Sequence, residues 1–248
     1  MSALAQGSRA GGSGQVVAWA FTGREGGVSR QPFDSLNLAG QVGDEPAAVR
    51  ANRERAGAIL GLGSGRLAVV NAVHGAEVAV IEGPGEVDGV DALVTTEAGL
   101  GLLALAADCV PLALLDVEAG MVAAAHCGWK GIGAGIVPAT VACMRSMGAT
   151  AIEAVIGPSA CARCYPVHQG RIEELRSSVD SAVAQAACLR LGMQWHVDVA
   201  AGVRVQLAQV GVPTTSIDRC TVADPALYSY RREPVTGRHG VLIAVLST

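Results

Sequence analysis

The sequence has few aromatic and few charged residues. Aromatic side chains make up 3% of its 248 residues and charged side chains make up 16%. With so few large rings, a core must be built from Ala, Val, Leu and Ile, and the hydrophobic content of 50% is ample for one. Lys130 is the only lysine, and the net charge of −4 leaves no basic excess for a nucleic-acid backbone. We therefore predict a protein that does not bind nucleic acid.

Long uninterrupted hydrophobic segments are also missing. The most apolar stretch, residues 98–115, is interrupted by Asp108 and Pro111, so two buried strands around a turn explain it better than a membrane helix. The first residues lack the charged and then apolar pattern of a secretion signal. The seven cysteines are odd in number and have no disulfide-framework spacing. These absences predict a cytoplasmic protein with reduced cysteines and no membrane contact.

Short apolar strands and helices are interleaved along the chain without a strict strand–helix–strand rhythm. This order favours a layered α/β fold with mixed β-sheets, in a single domain, over a Rossmann fold. Residues 1–14 are small and rich in Gly and Ser, which predicts a flexible tail before a domain of residues 15–248. The expected strands are 15–21, 66–70, 77–81, 92–95, 101–106, 112–116, 121–126, 154–157, 214–217 and 241–245. The expected helices are 44–60, 131–147, 167–191 as one helix or two, and 198–210.

Three short motifs contain the candidate catalytic residues. They are NAVHG with His74, AADCVP with Cys109, and AHCGWK with His126. Imidazole and thiolate are ligands that zinc prefers, and these three side chains would fill three of four tetrahedral positions. The fourth position would stay open to water or substrate, as in a catalytic zinc site. We predict that His74, Cys109 and His126 converge on a metal, with Asp108 as a further catalytic candidate beside them.

The spacing of these residues does not decide their role. It matches neither a zinc finger nor the His-Glu-x-x-His helix of a metalloprotease. Cys109 and His126 would also suit a nucleophile and its general base in the absence of any metal. Two alternatives therefore stay open at this point: a thiol hydrolase, for example an amidase acting on a cell-wall precursor, and a non-catalytic metal-binding module.

Two further groups have less specific patterns. Cys161 and Cys164 form a C-x-x-C motif, but no second pair completes a zinc ribbon, and the motif lies too late in the chain for a thioredoxin-like site. Packing cysteines are the favoured interpretation. Arg231, Arg232 and Arg238 cluster near the C-terminus, where they form either a solvated surface or a contact for an anion such as phosphate.

Taken together, the motifs resemble the YfiH-type laccase-domain family, whose members are described as polyphenol oxidases and as purine nucleoside phosphorylases. The resemblance spans nearly the whole chain, and many motifs in one order are more specific than any single one. The motifs are REGGVS (24–29), FDSLNL (33–38), VHG (73–75), DALVT (91–95), ADCVP (107–111), AHCGW (125–129), DRCT (218–221), SYRR (229–232) and TGR (236–238).

This resemblance implies an α/β/β/α-type layered fold and a zinc ion held by His74, Cys109 and His126. It implies phosphorolysis of adenosine and inosine to the free base and ribose 1-phosphate, with methylthioadenosine cleavage and adenosine deamination as further activities. The implied partners are a purine nucleoside and phosphate, and we expect a monomer or weak homodimer. The candidate substrate and phosphate ligands are Arg24, Asn37, Lys130 and Arg231.

Copper-dependent oxidation of phenols is an older assignment in the family, and a His₂Cys set would also suit copper. We rank it low, because a multicopper oxidase needs about ten histidines and this chain has five. Deamination lacks the usual zinc-deaminase glutamate two residues after the histidine, where Gly128 stands, so Asp108 would have to carry the proton.

The sequence departs from the family pattern at several positions. Ala72 replaces a glutamine, Lys130 an arginine, Cys161 a glycine and Pro166 a glutamate. If the missing glutamine or glutamate helps to bind the nucleoside, the substrate preference of this chain differs from that of its relatives. The three expected metal ligands are intact, which favours an active enzyme.

Overall fold

A computed structural model describes residues 3–12 and 14–246. Within these residues the helices are α1 (Pro46–Ile59), α2 (Trp129–Ala134), α3 (Ile136–Ser146), α4 (Gln169–Ser178), α5 (Ser181–Ala187) and α6 (Val199–Gln209). The strands are β1 (Ala5–Ala10), β2 (Val16–Phe21), β3 (Leu67–Asn71), β4 (Val78–Val80), β5 (Gly85–Asp88), β6 (Ala92–Thr95), β7 (Gly101–Ala106), β8 (Val110–Asp116), β9 (Met121–Cys127), β10 (Glu153–Ile156), β11 (Pro166–Val167), β12 (Cys188–Leu191), β13 (Gln194–Val197), β14 (Thr214–Ser216) and β15 (His239–Leu246). A short 3₁₀ helix covers Ala162–Cys164.

Two six-stranded sheets lie at the centre of the fold. The first sheet has the order β1-β2-β15-β7-β3-β5 and the second has the order β14-β10-β8-β9-β6-β4. Both are mixed: β15 is antiparallel to β2 while β3 is parallel to β7, and β8 is antiparallel to β9 while β4 is parallel to β6. A small antiparallel sheet, β11-β13-β12, stands apart. The prediction of a layered α/β domain with mixed sheets is confirmed.

Side chains of alternating direction divide the core into layers. On β8, Ala113 and Leu115 pack between the two sheets, while Leu112 and Leu114 pack on the helical side. Because β7, β8 and β9 are covered on both faces, every residue in them is buried, which explains why their sequences are continuous apolar runs.

Helices cover the outer faces of both sheets. Ala56 and Leu60, at the C-terminal end of α1, pack on the first sheet. Ile132 of α2, Val141 of α3 and Val203 of α6 pack on the second sheet. The layers therefore follow the order α/β/β/α, as the resemblance implied. Among the described residues, no helix combines the length and the apolar character needed to cross a bilayer.

The N-terminal segment corrects a prediction. Residues 5–10, expected to belong to a flexible tail, form β1 and pair antiparallel with β2. The pairing satisfies backbone groups along the edge of β2, so it depends little on the small side chains that suggested flexibility. Gly7 gives room to Trp19, whose ring occupies the space where a Cβ would lie. Residues 1, 2 and 13 of the expected tail lie outside the described residues.

Two expected helices are interrupted. The helix predicted over 131–147 is divided into α2 and α3 at Gly135, whose φ of +87° belongs to the left-handed region that glycine tolerates best. The segment 167–191 contains α4 and α5 and then turns into β12. The strands β5, β11, β12 and β13 were not predicted, because each is short and carries few buried side chains.

Candidate metal centre and active site

The chain passes from one sheet to the other in the two connections that carry the site. His74 lies between β3 and β4, Cys109 lies between β7 and β8, and His126 lies near the end of β9. His74 and Asp108 have positive φ values of 63° and 99°, which non-glycine residues rarely adopt. Both turns lie where the chain changes sheets.

The structure brings the three predicted metal ligands together. The candidate ligand atoms of His74, Cys109 and His126 all lie within 4.8 Å of one another. Cys109 Sγ is 3.9 Å from His74 Nε2, and the centroids of the two imidazole rings are 4.7 Å apart. A Cβ on Gly128 would lie 2.9 Å from His74 Cδ2 and 3.2 Å from Cys109 Sγ. The glycine after Cys127 therefore leaves the space in which the three side chains meet.

Asp91 orients both histidines. Its carboxylate accepts a hydrogen bond from His126 Nδ1 at 2.8 Å, so Nε2 is the nitrogen of that ring available to ligate a metal. It also accepts from the backbone N–H groups of Val73, His74 and Gly75 at 3.2, 3.0 and 2.7 Å. One fully buried carboxylate thus fixes a ring and a loop at once. The sequence reasoning missed its role, although Asp91 begins the DALVT motif.

Cys109 and His126 change each other's proton affinity. Burial by itself would raise the pKa of the Cys109 thiol, but the His126 and His74 imidazoles lower it to about 6. Burial would lower the pKa of His126, but the Cys109 thiolate and Asp91 raise it. Cys127 lies in the hydrophobic core, where burial raises the pKa of its thiol and keeps it protonated. Cys109 is therefore the thiolate of this site, and Cys127 is a packing residue.

These residues fit a zinc ion. Two imidazoles and a thiolate of low pKa are zinc's preferred donors, and a carboxylate bonded to the second nitrogen of a ligating histidine is the usual supporting contact. Three protein donors leave one coordination position for a substrate. The donor set alone is also compatible with copper.

Asp108 connects the Cys109 loop to the rest of the cavity wall. Its Oδ1 accepts a hydrogen bond from Thr221 Oγ1 at 2.6 Å and its Oδ2 accepts one from the Arg231 N–H at 2.7 Å. Its backbone carbonyl accepts from Ala160 N–H at 2.9 Å. Both carboxylate oxygens are thus engaged by protein groups, which suits Asp108 to positioning the loop that carries Cys109.

Small-molecule sites have volumes of about 300–1,000 Å³. The cavity over the three ligands has a volume of 730 Å³. Its wall contains three arginines, each lying over an aromatic ring. The distances from the guanidinium carbon to the ring centroid are 5.0 Å for Arg171 over Trp129, 3.6 Å for Arg231 over Tyr165 and 6.0 Å for Arg238 over Tyr230. Asp108 is the single acidic side chain among the described residues of this wall. The cavity is therefore suited to an anionic ligand.

Two of the predicted phosphate ligands are engaged elsewhere. Arg24 forms salt bridges to Asp34 at 3.0 Å and Glu233 at 2.9 Å, outside the wall of the cavity. Asn37 is fully buried and bonds to Asp44 at 2.9 Å. Its Oδ1 accepts from the Arg238 N–H at 2.9 Å, so it supports the cavity only through the backbone of that arginine.

Two other basic residues also lie outside the described wall of the cavity. Lys130 is exposed on α2, with its Nζ 5.7 Å from the centroid of the Trp129 ring. Arg232 donates to the carbonyl oxygens of Thr221, Asp224 and Leu227, which gives it a structural role. Of the four predicted substrate ligands, Arg231 lines the cavity. Arg171 was missed, because nothing near it in the sequence indicates a site.

Comparisons with known proteins identify the family and the fold of the chain. The family model described as multi-copper polyphenol oxidoreductase laccase matches residues 18–246. A Streptomyces coelicolor protein named purine nucleoside phosphorylase SCO2081 is 47% identical over 227 residues, with 88% of this chain and 91% of that protein covered. Purine nucleoside phosphorylase YfiH of Escherichia coli is 36% identical over 225 residues, covering 90% and 91%. The crystal structure of YlmD from Geobacillus stearothermophilus superposes with a TM-score of 0.86 at 29% identity, covering 97% of this chain and 99% of YlmD.

Proposed function

The chain belongs to the multi-copper polyphenol oxidoreductase laccase family, which includes the YfiH-type proteins, and on that premise we propose that it is a zinc-dependent purine nucleoside phosphorylase. The substrates are adenosine and inosine, with methylthioadenosine as a further one, and the products are the free base and ribose 1-phosphate. The names of the relatives support this reaction class. The observation that carries the proposal is one cavity that joins a His₂Cys donor set to three arginines.

The metal ligands in this proposal are His74, Cys109 and His126. The two histidines offer ring nitrogens and Cys109 offers its thiolate. Zinc bound there would supply Lewis-acid polarisation of a substrate oxygen. Asp91 keeps both histidines in place, and Asp108 holds the Cys109 loop through Thr221 and Arg231.

Phosphate binds, in this proposal, to guanidinium groups of Arg171, Arg231 and Arg238. Arginine presents paired N–H donors that match phosphate oxygens, and stacking on a ring restricts the guanidinium before the anion arrives. A phosphate oxygen attacks C1′ of the ribose while the C–N glycosidic bond breaks and its electron pair leaves with the purine. The proton of HPO₄²⁻ balances the one that the departing purine takes up. The arginines offset the charge of the nucleophile and orient it, which is an effect of proximity.

Incubation of the purified protein with inosine, with and without phosphate, tests this proposal. Hypoxanthine and ribose 1-phosphate should appear only when phosphate is present. Cys109→Ala should abolish their release, while Cys143→Ala, a half-buried cysteine on α3, should leave it unchanged. Absence of base release from the wild type, or equal release from Cys109→Ala, would contradict the proposal.

Adenosine deamination is proposed as a side activity. Asp108 is the acidic side chain in the described cavity wall, but both of its oxygens already accept hydrogen bonds. We therefore expect ammonia release from adenosine to be slower than phosphorolysis. A deamination rate that exceeds the phosphorolysis rate under saturating phosphate would reverse this order.

Oxidation of phenols by several coppers is less well supported by the donors present. Of the five histidines, His74 and His126 share a donor cluster. His168 caps α4, His196 bonds to the carbonyl oxygen of Ala162, and His239 is buried beside Tyr228. Among the described residues, these side chains do not assemble a second histidine-rich centre.

A thiol hydrolase is the second candidate, because Asp91, His126 and Cys109 are arranged in space like the acid, base and nucleophile of a Cys–His–Asp triad. Asp91 orients His126, and His126 lowers the pKa of Cys109. This function predicts activity on an amide substrate after exhaustive metal removal, with a covalent adduct on Cys109. Inosine phosphorolysis that disappears on chelation and returns with zinc would favour the phosphorylase instead.

A further inference from the structure

A second group of potential metal donors lies outside the active-site cavity. The sulfur atoms of Cys161, Cys164 and Cys220 all lie within 4.8 Å of one another. The C-x-x-C motif in the sequence favoured packing cysteines. The fold adds a third thiol, that of Cys220, which lies 59 residues after Cys161 in the chain. All three residues are half-buried, and the cysteines are free.

The backbone fixes the positions of the three thiols. Cys161 is the N-cap of the 3₁₀ helix and Cys164 is its last residue, and Cys164 N–H donates to the Cys161 carbonyl at 2.9 Å. Ser159 forms a parallel bridge with Cys220, and Thr221 N–H donates to the Ser159 carbonyl at 3.1 Å. The cluster is therefore prearranged by main-chain bonds, which lowers the entropic cost of gathering three ligands.

The sulfur atom of Cys220 accepts a backbone hydrogen bond. Cys161 N–H points at Cys220 Sγ over 3.3 Å. Backbone N–H groups that bond to sulfur favour the thiolate over the thiol, and the thiolate is the form that binds metal. Cys161 and Cys220, two of the three ligands, also line a cavity of 330 Å³.

We propose that Cys161, Cys164 and Cys220 form a second metal site, specific for a thiophilic d¹⁰ ion, Zn²⁺ or Cu⁺. Soft thiolate donors select these ions over Mg²⁺, Ca²⁺ and Mn²⁺. Each thiol that coordinates gives up its proton to solvent, so binding strengthens as pH rises. Because the described part of the chain adds no fourth donor to this group, Cu⁺ would be bound by three thiolates and Zn²⁺ by three thiolates and water.

The proposed site would stabilise loops that reach the active-site cavity. Ala160 and Thr221, the neighbours of two ligands, both donate hydrogen bonds to Asp108. Tyr165 follows Cys164 and lies under the guanidinium of Arg231. An ion at this point would hold the two loops together, and its binding does not depend on whether the protein is a phosphorylase.

Titration of reduced, metal-free protein with Cd²⁺ under anaerobic conditions tests the proposal. Cys109→Ser is used as the background, because it removes the thiolate of the first site. In that background we expect one equivalent of Cd²⁺ to bind, with an ultraviolet thiolate-to-metal charge-transfer band and a ¹¹³Cd chemical shift of a three-sulfur site. Adding Cys164→Ser should weaken binding at least tenfold, whereas adding Cys143→Ser should leave it unchanged.

Several results would overturn the proposal. The first is that the Cys109→Ser variant shows no saturable binding of Cd²⁺, and the second is a ¹¹³Cd chemical shift that indicates fewer than three sulfur ligands. The third is that Cys143→Ser weakens Cd²⁺ binding as much as Cys164→Ser does. The fourth is a Cys161–Cys164 disulfide in freshly prepared protein. The ¹¹³Cd shift counts the ligands without any change in the cluster, so the test holds even if Cys164→Ser fails to fold. Competition of Zn²⁺ and Cu⁺ against bound Cd²⁺ then identifies which ion the site prefers.

Discussion

At the scale of single residues, Asp91 is the side chain that positions both histidines of the proposed metal centre. In Asp91→Asn the ionised acceptor of His126 is lost, and an amide N–H group would face backbone N–H donors of the 73–75 loop. We expect zinc affinity to fall about 10–100-fold, the usual effect of removing a carboxylate that supports a histidine ligand. Competition with a chromophoric chelator measures the change.

Asp116→Asn is the matched control for this substitution. Asp116 is also buried and also accepts backbone N–H groups, those of Ala119, Thr150 and Ala151, but it lies at the far end of β8. The Asp116→Asn variant should be less stable than the wild type and should keep its zinc affinity. Unchanged zinc affinity in Asp91→Asn would show that the carboxylate does not support the ligands.

Gly128 provides the second prediction for a single residue. A methyl group there would meet His74 Cδ2 at 2.9 Å and Cys109 Sγ at 3.2 Å, so Gly128→Ala must displace at least one ligand. We expect weaker zinc binding with little change in the far-ultraviolet circular dichroism spectrum. Gly75→Ala is the control, because its nearest contact, with Asp91, is an ordinary 3.6 Å. Equal zinc affinity in the two variants would contradict the expected crowding.

Side chains with unusual chemistry were predictable from the sequence, but their supporting partners were not. His74, Cys109 and His126 stand in recognisable motifs, and the structure brings them together. Arg171 reaches the same cavity from α4, and only the packing of α4 against Trp129 reveals it. Arg24, in contrast, stands in a motif but is held by Asp34 and Glu233. Motif membership indicates that a residue has a role, and the contacts decide which one.

At the scale of secondary structure, Asp116 links β8 to two connections. Burial alone would raise its pKa, but the N–H groups of Ala151, Ala119 and Thr150 lower it below the usual range. Because the pKa is depressed on folding, the stabilisation is present above about pH 4, the unfolded value, and is lost as pH falls through the folded value. We expect the free energy of unfolding to decline in acid more steeply for the wild type than for Asp116→Asn.

Urea unfolding of both proteins at several pH values below 6 measures this difference. The gap in stability between the wild type and Asp116→Asn should be largest near neutral pH and should narrow as the wild-type carboxylate becomes protonated. A gap that stays constant between pH 6 and pH 3 would mean that the backbone N–H groups do not stabilise the charged form.

Elements were predictable where burial alone determines them. The expected strands 92–95 and 101–106 agree with β6 and β7 to the residue, because their apolar runs are covered on both faces. The hairpin of β12 and β13 is short and largely exposed, so its pairing partner, rather than its own composition, determines it. Gly135 divides one predicted helix into two, which periodicity alone does not show, because apolar residues continue at helical spacing on both sides.

At the scale of the whole molecule, the proposed metal centre joins the two sheets. His74 and Cys109 lie in connections that leave the first sheet, and His126 belongs to the second. No pattern along the sequence gives this arrangement, because it depends on how two sheets stack. A ligand shared by both sheets binds the folded chain but has few partners in the unfolded one, so it should raise the stability of the entire domain.

Thermal unfolding with and without zinc measures this stabilisation. At a free zinc concentration about 100 times the Kd, binding adds about 2.7 kcal/mol. At roughly 2–4 °C per kcal/mol for a domain of this size, the Tm should rise by about 5–11 °C.

Cys164→Ser is used as the background so that the three-cysteine cluster adds little to the shift. Cys109→Ala in that background should remove most of the rise, whereas Cys143→Ala should retain it. An equal rise with and without the Cys109 thiol would mean that zinc stabilises the protein from another position, and the two sheets would then be held together by packing alone.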